Sequence, residues 1–293
     1  MSAYITLIRV KHWIKNLFLF LPLFFSGHIF DSALMIGKAG IGFILFSLVA
    51  SAIYIINDIQ DAHADRLHPE KKKRPIASGM VKVNTAMLLT ALLIAISIVG
   101  AYLLNIWYMC ILLIYFIMNI AYSFGLKHIP IIDITIIAVG FLLRIIGGGI
   151  IAEVFISQWI VVMTFLLALF LGIAKRREDV ILFQNSGQKT RASITGYNLE
   201  FINASMVLMA AVVIVAYLMY TMSTDVIERF NTPYLYVTSV FVILGVLRYL
   251  QLTFVQNKSG NPTQLLWKDL FVQLVLLGWV VAFFLIIYFQ KIQ

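Results

Sequence analysis

Residues 57–79 read NDIQDAHADRLHPEKKKRPIASG, and this stretch places three aspartates just before a run of lysines and an arginine. The chain around it is 62% hydrophobic and 12% charged. Charged groups are costly next to hydrocarbon, so a membrane protein concentrates them mainly where they have a function. The stretch is therefore the first candidate for a functional site, and the apolar runs on either side of it decide the fold.

These apolar runs recur along the whole chain of 293 residues. Each is about 20 residues long, which is the length that a helix needs to cross the hydrocarbon core of a membrane. The runs are continuously apolar, whereas the strands of a membrane β-barrel alternate in polarity. We predict an all-α polytopic membrane protein that forms a single domain over residues 1–293. Its nine predicted spans are residues 14–35, 38–56, 84–104, 106–123, 131–152, 157–174, 201–222, 233–252 and 268–289.

Basic residues predict the orientation of these spans. Most of the 22 lysines and arginines lie at one set of span ends and in the connections between them. Lysine and arginine near span ends are retained on the cytoplasmic side. The long predicted connections, residues 57–83, 175–200 and 253–267, lie on this same side. We therefore expect a multi-pass protein of the cell membrane (inner or plasma membrane) whose functional loops face the cytoplasm.

The three aspartates of the quoted stretch have helical spacing. Asp58, Asp61 and Asp65 are at positions i, i+3 and i+7, so on a helix that continues out of the second span their carboxylates share one face, with Asn57 beside them. Carboxylate oxygens suit Mg²⁺, which proteins usually bind together with the phosphates of a substrate. We predict that Asn57 and the three aspartates hold Mg²⁺ and that the aspartates are catalytic.

The cations that follow the aspartates have two interpretations. Lys72, Lys73 and Arg74 would supply counter-charge to phosphate oxygens that a metal leaves uncovered. Alternatively, the lysines only form a solvated loop that obeys the positive-inside rule. Three acids on one helical face beside the cations favour a site for a metal and a diphosphate.

The stretch also resembles the first aspartate-rich motif of the UbiA-type superfamily of intramembrane prenyltransferases. That motif is N-D-x-x-D-x-x-x-D-x-x-x-P-x-K-x-x-R-P-I-x-x-G, and residues 57–79 match it at every fixed position. The resemblance extends over essentially the whole chain. It implies helices around a lipid-accessible central cavity, with a polar cap on the cytoplasmic side.

The chain departs from the prenyltransferases after the sixth span. They carry a second motif there, D-x-x-x-D, whereas this chain has LGIAKRREDVILFQNSGQ at residues 171–188. This sequence, with RVKHWIKN at 9–16, AYSFGLKHIPIIDI at 121–134 and GFLLRIIGGG at 140–149, resembles the branch of polyprenyl-phosphate phosphoribosyltransferases. Ala174 stands where that branch usually has glycine.

This resemblance implies a reaction. The 5-phosphoribosyl group of phosphoribosyl pyrophosphate would pass to a polyprenyl (decaprenyl-type) phosphate, with release of diphosphate. Expected partners are these two substrates and membrane lipids; nucleic acid is not expected, and an oligomer is compatible with the sequence. One alternative is a prenyltransferase that joins a prenyl diphosphate to an aromatic or other small acceptor. A third hypothesis is a transporter or channel, but the sequence shows neither a pair of broken membrane helices nor two halves of similar sequence.

Two anionic substrates need cations in addition to the metal, and the implied roles are divided among several residues. Lys71 and Arg74 are assigned to the donor, and Lys175 and Arg176 to the 5-phosphate or the lipid phosphate. Glu178 would hold a ribose hydroxyl or orient a cation. The remaining substrate-binding candidates are Lys15, Tyr122, Lys127 and Arg144. Arg144 lies inside a span, where it either faces a phosphate or pairs with an acid such as Asp133 or Glu153.

Overall fold

The computed structural model describes residues 3–26, 33–67, 71–187, 192–256 and 268–288, and all regular structure in these ranges is helical. Eight of the described helices are long and apolar enough to cross a membrane. This confirms the predicted fold class, a multi-pass all-α membrane protein. The eight are α3 (Ala33–Gln60), α5 (Val83–Leu104), α6 (Ile106–Phe124), α7 (Ile132–Ala152), α8 (Gln158–Ser186), α9 (Leu199–Met222), α11 (Ser239–Phe254, preceded by a 3₁₀ helix at Tyr234–Thr238) and α12 (Leu270–Tyr288).

Shorter helices precede the first of these spans or lie between them. They are α1 (Ala3–Leu7), α2 (Leu21–Phe25), α4 (Ala62–Leu67) and α10 (Thr224–Phe230), with 3₁₀ helices at Val10–Phe20, Lys71–Lys73, Leu126–His128 and Ala192–Gly196. The outer surface of the long helices is apolar. Leu88 is 72% exposed, Leu103 78% and Trp107 69%. An apolar surface of this kind is expected where helices face lipid rather than water.

The predicted first span, residues 14–35, is not one continuous helix. The 3₁₀ helix Val10–Phe20 occupies its first part and α2 follows, while residues 27–32 lie outside the described ranges. A count of nine spans is therefore not confirmed for the described part of the chain.

Pairing with α3 explains why residues 10–20 form a 3₁₀ helix. Trp13 donates from Nε1 to Ser51 Oγ (3.0 Å), and Asn16 donates from Nδ2 to Ser47 Oγ (2.8 Å). Three residues of a 3₁₀ helix advance ~6 Å. Four residues of an α-helix advance the same ~6 Å. The two segments therefore run antiparallel with matching repeats, so Trp13 and Asn16, one turn apart, meet Ser51 and Ser47, one turn apart on α3.

The chain divides into two compact units, each with its own core. The first comprises residues 1–126 and 142–156, and the second comprises residues 127–141 and 157–293. In the first, buried side chains of α1, α3 and α5 pack with Ile76 and Val81 of the loop before α5. In the second, α8, α9 and α11 pack around Phe170, Met206 and Tyr249. The single domain over residues 1–293 stays a prediction.

Gly148 of α7 marks a close approach of the 3₁₀ helix Val10–Phe20 to α7. A Cβ at this position would overlap the backbone carbonyl of Leu19. A backbone atom cannot rotate away as a side chain does, so the two elements would have to separate.

We expect Gly148→Ala to lower the free energy of unfolding by about 1–3 kcal/mol, because the added methyl group overpacks this contact. Gly37→Ala in α3 is the matched control, since a Cβ there meets nothing within 4 Å. Thermal unfolding in detergent measures both variants. Equal melting temperatures for the two would contradict the close approach.

Candidate active site

The three aspartates of residues 57–79 lie on one nearly continuous helical path. Asp61 is a turn residue between α3 and α4, yet its N–H donates to the carbonyl of Asn57 (2.9 Å), and the N–H of Asp65 donates to the carbonyl of Asp61 (2.8 Å). The predicted continuation of the helix out of the second span is therefore confirmed. Asp58 and Asp65 are buried, with 2% and 3% of their surface exposed, and Asp61 is half-buried.

Two arginines neutralise the buried aspartates. Arg9 Nη2 donates to Asp58 Oδ1 at 2.5 Å. Arg74 Nη1 reaches the same Asp58 oxygen at 3.1 Å and Asp65 Oδ2 at 2.6 Å. One guanidinium nitrogen thus lies between two carboxylates that come from different helices. We call Arg9, Asp58, Asp65 and Arg74 the aspartate–arginine cluster.

The loop after α4 has the backbone conformation that places Arg74 in this cluster. Arg74 N–H donates to the Lys71 carbonyl (2.9 Å), and Val81 N–H donates to the Pro75 carbonyl (2.9 Å). Gly79 has φ 79°, a left-handed conformation that residues with a Cβ rarely adopt. Ile76, 1% exposed, anchors the loop in the core of the first unit.

Arg9 is a site residue that sequence reasoning did not select. The one signal in the sequence is that Arg9 opens the segment RVKHWIKN, which carries part of the family resemblance. It lies in a left-handed conformation (φ 51°) just before the 3₁₀ helix, and its guanidinium is 4.9 Å from the ring centre of Tyr54. The same antiparallel pairing of this segment with α3 that places Trp13 beside Ser51 also places Arg9 beside Asp58.

Arg144 is a buried cation of the first unit. It is 6% exposed, and it donates from Nε to Asn16 Oδ1 (2.8 Å) and from Nη2 to Tyr115 Oη (3.0 Å). The ring of Phe46 lies 4.7 Å from its guanidinium carbon. Of the two acids considered as partners, Glu153 pairs with Lys38 at 2.5 Å. Arg144 therefore fastens the 3₁₀ helix through Asn16, and a phosphate-facing role for it stays a prediction.

The other considered acid, Asp133, anchors a network in the second unit. It is fully buried and accepts hydrogen bonds from Arg176 Nε (2.7 Å), Ser193 Oγ (2.9 Å) and Tyr197 Oη (2.7 Å). Arg176 also donates to Asp179 Oδ2 (3.1 Å). The structure thus places Arg176, selected for substrate binding, in a buried ion-pair network.

Tyr197 completes this network at the start of α7. Its hydroxyl accepts from the N–H of Ile131 (2.6 Å), a residue with φ 69°. Burial raises the pKa of Tyr197 well above the usual value for tyrosine, and its hydrogen bond to Asp133 acts in the same direction. The hydroxyl therefore stays protonated and continues to donate to Asp133.

The remaining predicted substrate-binding residues lie on several elements. Lys15 is half-buried in the 3₁₀ helix Val10–Phe20, and Lys71 is half-buried in Lys71–Lys73. Tyr122 of α6 and Lys127 of the 3₁₀ helix Leu126–His128 are also half-buried. On α8, Glu178 is half-buried and Lys175 is exposed. Their roles stay predictions.

The aspartate–arginine cluster also bears on the predicted Mg²⁺ site. Among the described residues, no three His, Cys, Asp or Glu side chains are grouped closely enough to hold a metal. However, Asp58 and Asp65 already share one cationic nitrogen, so two carboxylate oxygens are within reach of one cation. Hard oxygen donors of this kind fit Mg²⁺. The residues present are therefore compatible with the metal if the guanidinium moves away.

Comparison with known proteins identifies the fold family. The UbiA prenyltransferase family matches residues 16–275. The chain belongs to the UbiA prenyltransferase family. A UbiA homolog from Archaeoglobus fulgidus, solved bound to GPP and Mg²⁺, has a TM-score of 0.71 at 21% identity and covers 98% of this chain and 100% of its own. At this identity the structural likeness shows the shared UbiA fold. The family match over residues 16–275 confirms the predicted family.

Two relatives within the UbiA family match this chain along most of its length. The decaprenyl-phosphate phosphoribosyltransferase of Mycolicibacterium smegmatis is 33% identical over 99% of this chain and 93% of its own. The protein of the same name from Corynebacterium glutamicum is 31% identical over 96% of this chain and 85% of its own. The branch that the sequence motifs indicated is the branch to which this UbiA chain is similar.

We expect Arg74→Gln to destabilise the metal-free UbiA chain by roughly 1–3 kcal/mol, because two buried carboxylates lose a charged donor. Lys72→Gln removes the same charge from an exposed neighbour in the loop and should change stability little. Thermal unfolding in a chelator-containing buffer compares them. Similar losses in both variants would show that Arg74 does not stabilise the aspartates.

We expect Asp133→Asn to lower the free energy of unfolding by about 3 kcal/mol, since the fully buried Arg176 loses a charged partner. Asp225→Asn, an exposed position on α10, is the control. Chemical unfolding monitored by tryptophan fluorescence gives the two values. If both substitutions were equally mild, the network of Asp133 would contribute nothing to stability.

Proposed function

We propose that this protein transfers the 5-phosphoribosyl group of phosphoribosyl pyrophosphate to the phosphate of a decaprenyl-type polyprenyl phosphate and releases diphosphate. The observation that carries the proposal is the identity of 33% over 99% of the chain with a decaprenyl-phosphate phosphoribosyltransferase. The KRRE sequence at residues 175–178, which replaces the second aspartate motif of prenyltransferases, supports the same branch.

The donor diphosphate is assigned to the aspartate–arginine cluster. Asn57, Asp58, Asp61 and Asp65 would hold Mg²⁺, as the UbiA homolog bound to GPP and Mg²⁺ suggests by its shared fold. The ion would neutralise charge that develops on the leaving diphosphate. The aspartates would orient the donor by their fixed places on the helical path from α3 to α4.

Arg9 and Arg74 are assigned a change of partner. The exposed fraction of their side chains is 22% and 28%, so both arginines are partly open to solvent. If a metal held the carboxylates, the two guanidinium groups would be available to phosphate oxygens of the donor, for which arginine is well suited. The cluster would thus exchange one set of countercharges for another.

The transfer itself requires little acid–base chemistry from the protein. The bond from the anomeric carbon to the diphosphate oxygen breaks, and the electron pair leaves with diphosphate. A phosphate oxygen of the lipid, already ionised near neutral pH, then bonds to the anomeric carbon. No proton has to be removed from the nucleophile, so positioning and charge stabilisation supply most of the acceleration.

The protein is proposed to act in the cell membrane with its reaction centre toward the cytoplasm. The distribution of lysines and arginines along the sequence supports this orientation. A water-soluble donor and a lipid acceptor would then meet at the cytoplasmic surface, where each is already present.

Purified protein should transfer label from radiolabelled phosphoribosyl pyrophosphate to extractable lipid when Mg²⁺ and a polyprenyl phosphate are supplied. Asp58→Asn and Asp61→Asn should each lower the rate at least roughly 100-fold, because charge stabilisation at the leaving group is lost. Asp225→Asn, an exposed aspartate on α10, should retain wild-type activity.

Two results would contradict the proposal. Label that stays in the aqueous phase with every polyprenyl phosphate tested would argue against the transfer. Prenylation of a small acceptor with geranyl diphosphate as donor would instead favour the prenyltransferase alternative. Thermal stabilisation by phosphoribosyl pyrophosphate with Mg²⁺, but not by geranyl diphosphate, separates the two donors independently of turnover.

A further inference from the structure

One face of α3 carries polar side chains toward the aspartate–arginine cluster. They recur at positions i, i+4, i+7 and i+11, which is the spacing of a single helix face, and they are Ser47, Ser51, Tyr54 and Asp58. Two side chains of the preceding segment meet this face, since Trp13 donates to Ser51 and Arg9 donates to Asp58. Ser51 therefore lies on the surface that receives Arg9, about two helical turns before Asp58.

Ser51 bonds to this segment both before and after Arg9. Its hydroxyl accepts from Trp13 Nε1 (3.0 Å) and donates to the carbonyl of Ile8 (2.7 Å). The Ser47 carbonyl, 2.8 Å away, is an alternative acceptor for the same proton. The Ile8 carbonyl belongs to the peptide group that joins Ile8 to Arg9, and Trp13 follows four residues later. One fully buried side chain thus holds the chain on both sides of Arg9.

The backbone of Arg9 needs such support because its conformation is unfavourable. Its φ of 51° and ψ of 49° are left-handed, a region that residues with a Cβ rarely adopt. Strained conformations of this kind persist only where the surrounding contacts hold them. Arg9 lies between α1 and the 3₁₀ helix Val10–Phe20, so its conformation sets the direction in which the second element leaves the first. Without the bonds of Ser51, Arg9 could return to an ordinary conformation and withdraw from Asp58.

The other contacts of Arg9 are made by the end of its side chain. Its guanidinium carbon lies 4.9 Å from the ring centre of Tyr54, and its Nη2 donates to Asp58 Oδ1 at 2.5 Å. An arginine side chain has several rotatable bonds, so these two contacts leave the position of its backbone open. The bonds of Ser51 act on the backbone and on Trp13. They therefore set the point from which the side chain of Arg9 extends.

We propose that Ser51 is a positioning residue for the donor diphosphate, which it serves by holding the segment that presents Arg9 beside Asp58. The inference rests on the proposed function, in which the guanidinium of Arg9 would bind a phosphate oxygen of the donor. A guanidinium whose backbone is already fixed loses less conformational freedom when it binds, and such preorganisation increases affinity. Ser51 acts on the donor only through Arg9.

A matched pair of serine variants tests the proposal. Ser51→Ala and Ser47→Ala each remove a buried hydroxyl of α3 that bonds to the same segment, but Ser47 accepts from Asn16, which is further from Arg9. In the labelled-transfer assay, Ser51→Ala should raise the KM for phosphoribosyl pyrophosphate roughly tenfold with little change in kcat, as the loss of one charge-assisted bond implies. Ser47→Ala should keep the wild-type KM. Equal increases in both variants would overturn the proposal.

A double variant tests whether Ser51 acts through Arg9. Arg9→Gln should itself raise the KM, and Ser51→Ala added to it should raise the KM no further, because the guanidinium to be positioned is already absent. Additive increases would contradict the inference. If Ser51→Ala does not fold, Trp13→Phe keeps an aromatic ring and removes only the Nε1 donor to Ser51. An unchanged KM in Trp13→Phe would also count against the proposal.

A binding measurement separates this inference from the proposed function. Thermal unfolding follows the stabilisation of the purified protein by inorganic diphosphate with Mg²⁺ as the diphosphate concentration is raised. Ser51→Ala should need an about tenfold higher concentration for half-maximal stabilisation, and Ser47→Ala should match the wild type. If the wild type itself were not stabilised, the proposed donor site would fail, and this inference with it. If Ser51→Ala matched a stabilised wild type, only this inference would fail.

Discussion

Buried charge must be neutralised within a bundle of apolar helices, and the first unit is organised around this constraint. Asp58 and Asp65 are almost completely buried, so an unpaired carboxylate at either position would be strongly destabilising. Arg9 and Arg74 supply the countercharge from opposite directions along the chain. The segment before α3 and the loop after α4 are thereby held on the same helical path, and the rest of the unit packs around them.

The aspartate–arginine cluster and the network of Asp133 differ in exposure, and this difference separates their roles. The side chains of Arg9 and Arg74 are partly open to solvent, whereas Arg176 is 1% exposed and its partner Asp133 is fully buried. A partly exposed cation can leave at modest cost when another cation takes its place at the carboxylate, because water replaces the contacts that the departing cation loses. A fully buried one cannot, since its charge would be left without compensation. The first cluster is therefore suited to substrate exchange and the second to holding structure.

Reasoning from the sequence located eight long helices and the acidic helical path, because apolar run length and residue spacing are local properties. It treated residues 14–35 as one membrane helix, although the 3₁₀ helix Val10–Phe20 lies in the first part of that range. That conformation depends on register with Ser47 and Ser51, which lie more than 30 residues away. Sequence reasoning also did not single out Arg9 or the pairing of Arg176 with Asp133, because the pattern of charges does not reveal which side chains meet.

The membrane class, the helical fold and the family follow from the amino-acid sequence, and so does the acidic helical path on which the metal and diphosphate site is predicted. Apolar run length and motif spacing carry that information along the chain. The pairing of the charges is visible only in the folded protein. Asp58 is 49 positions from Arg9 and Asp133 is 43 from Arg176. Contacts at such separations, and the burial that sets their strength, arise from helix packing and have no local signature.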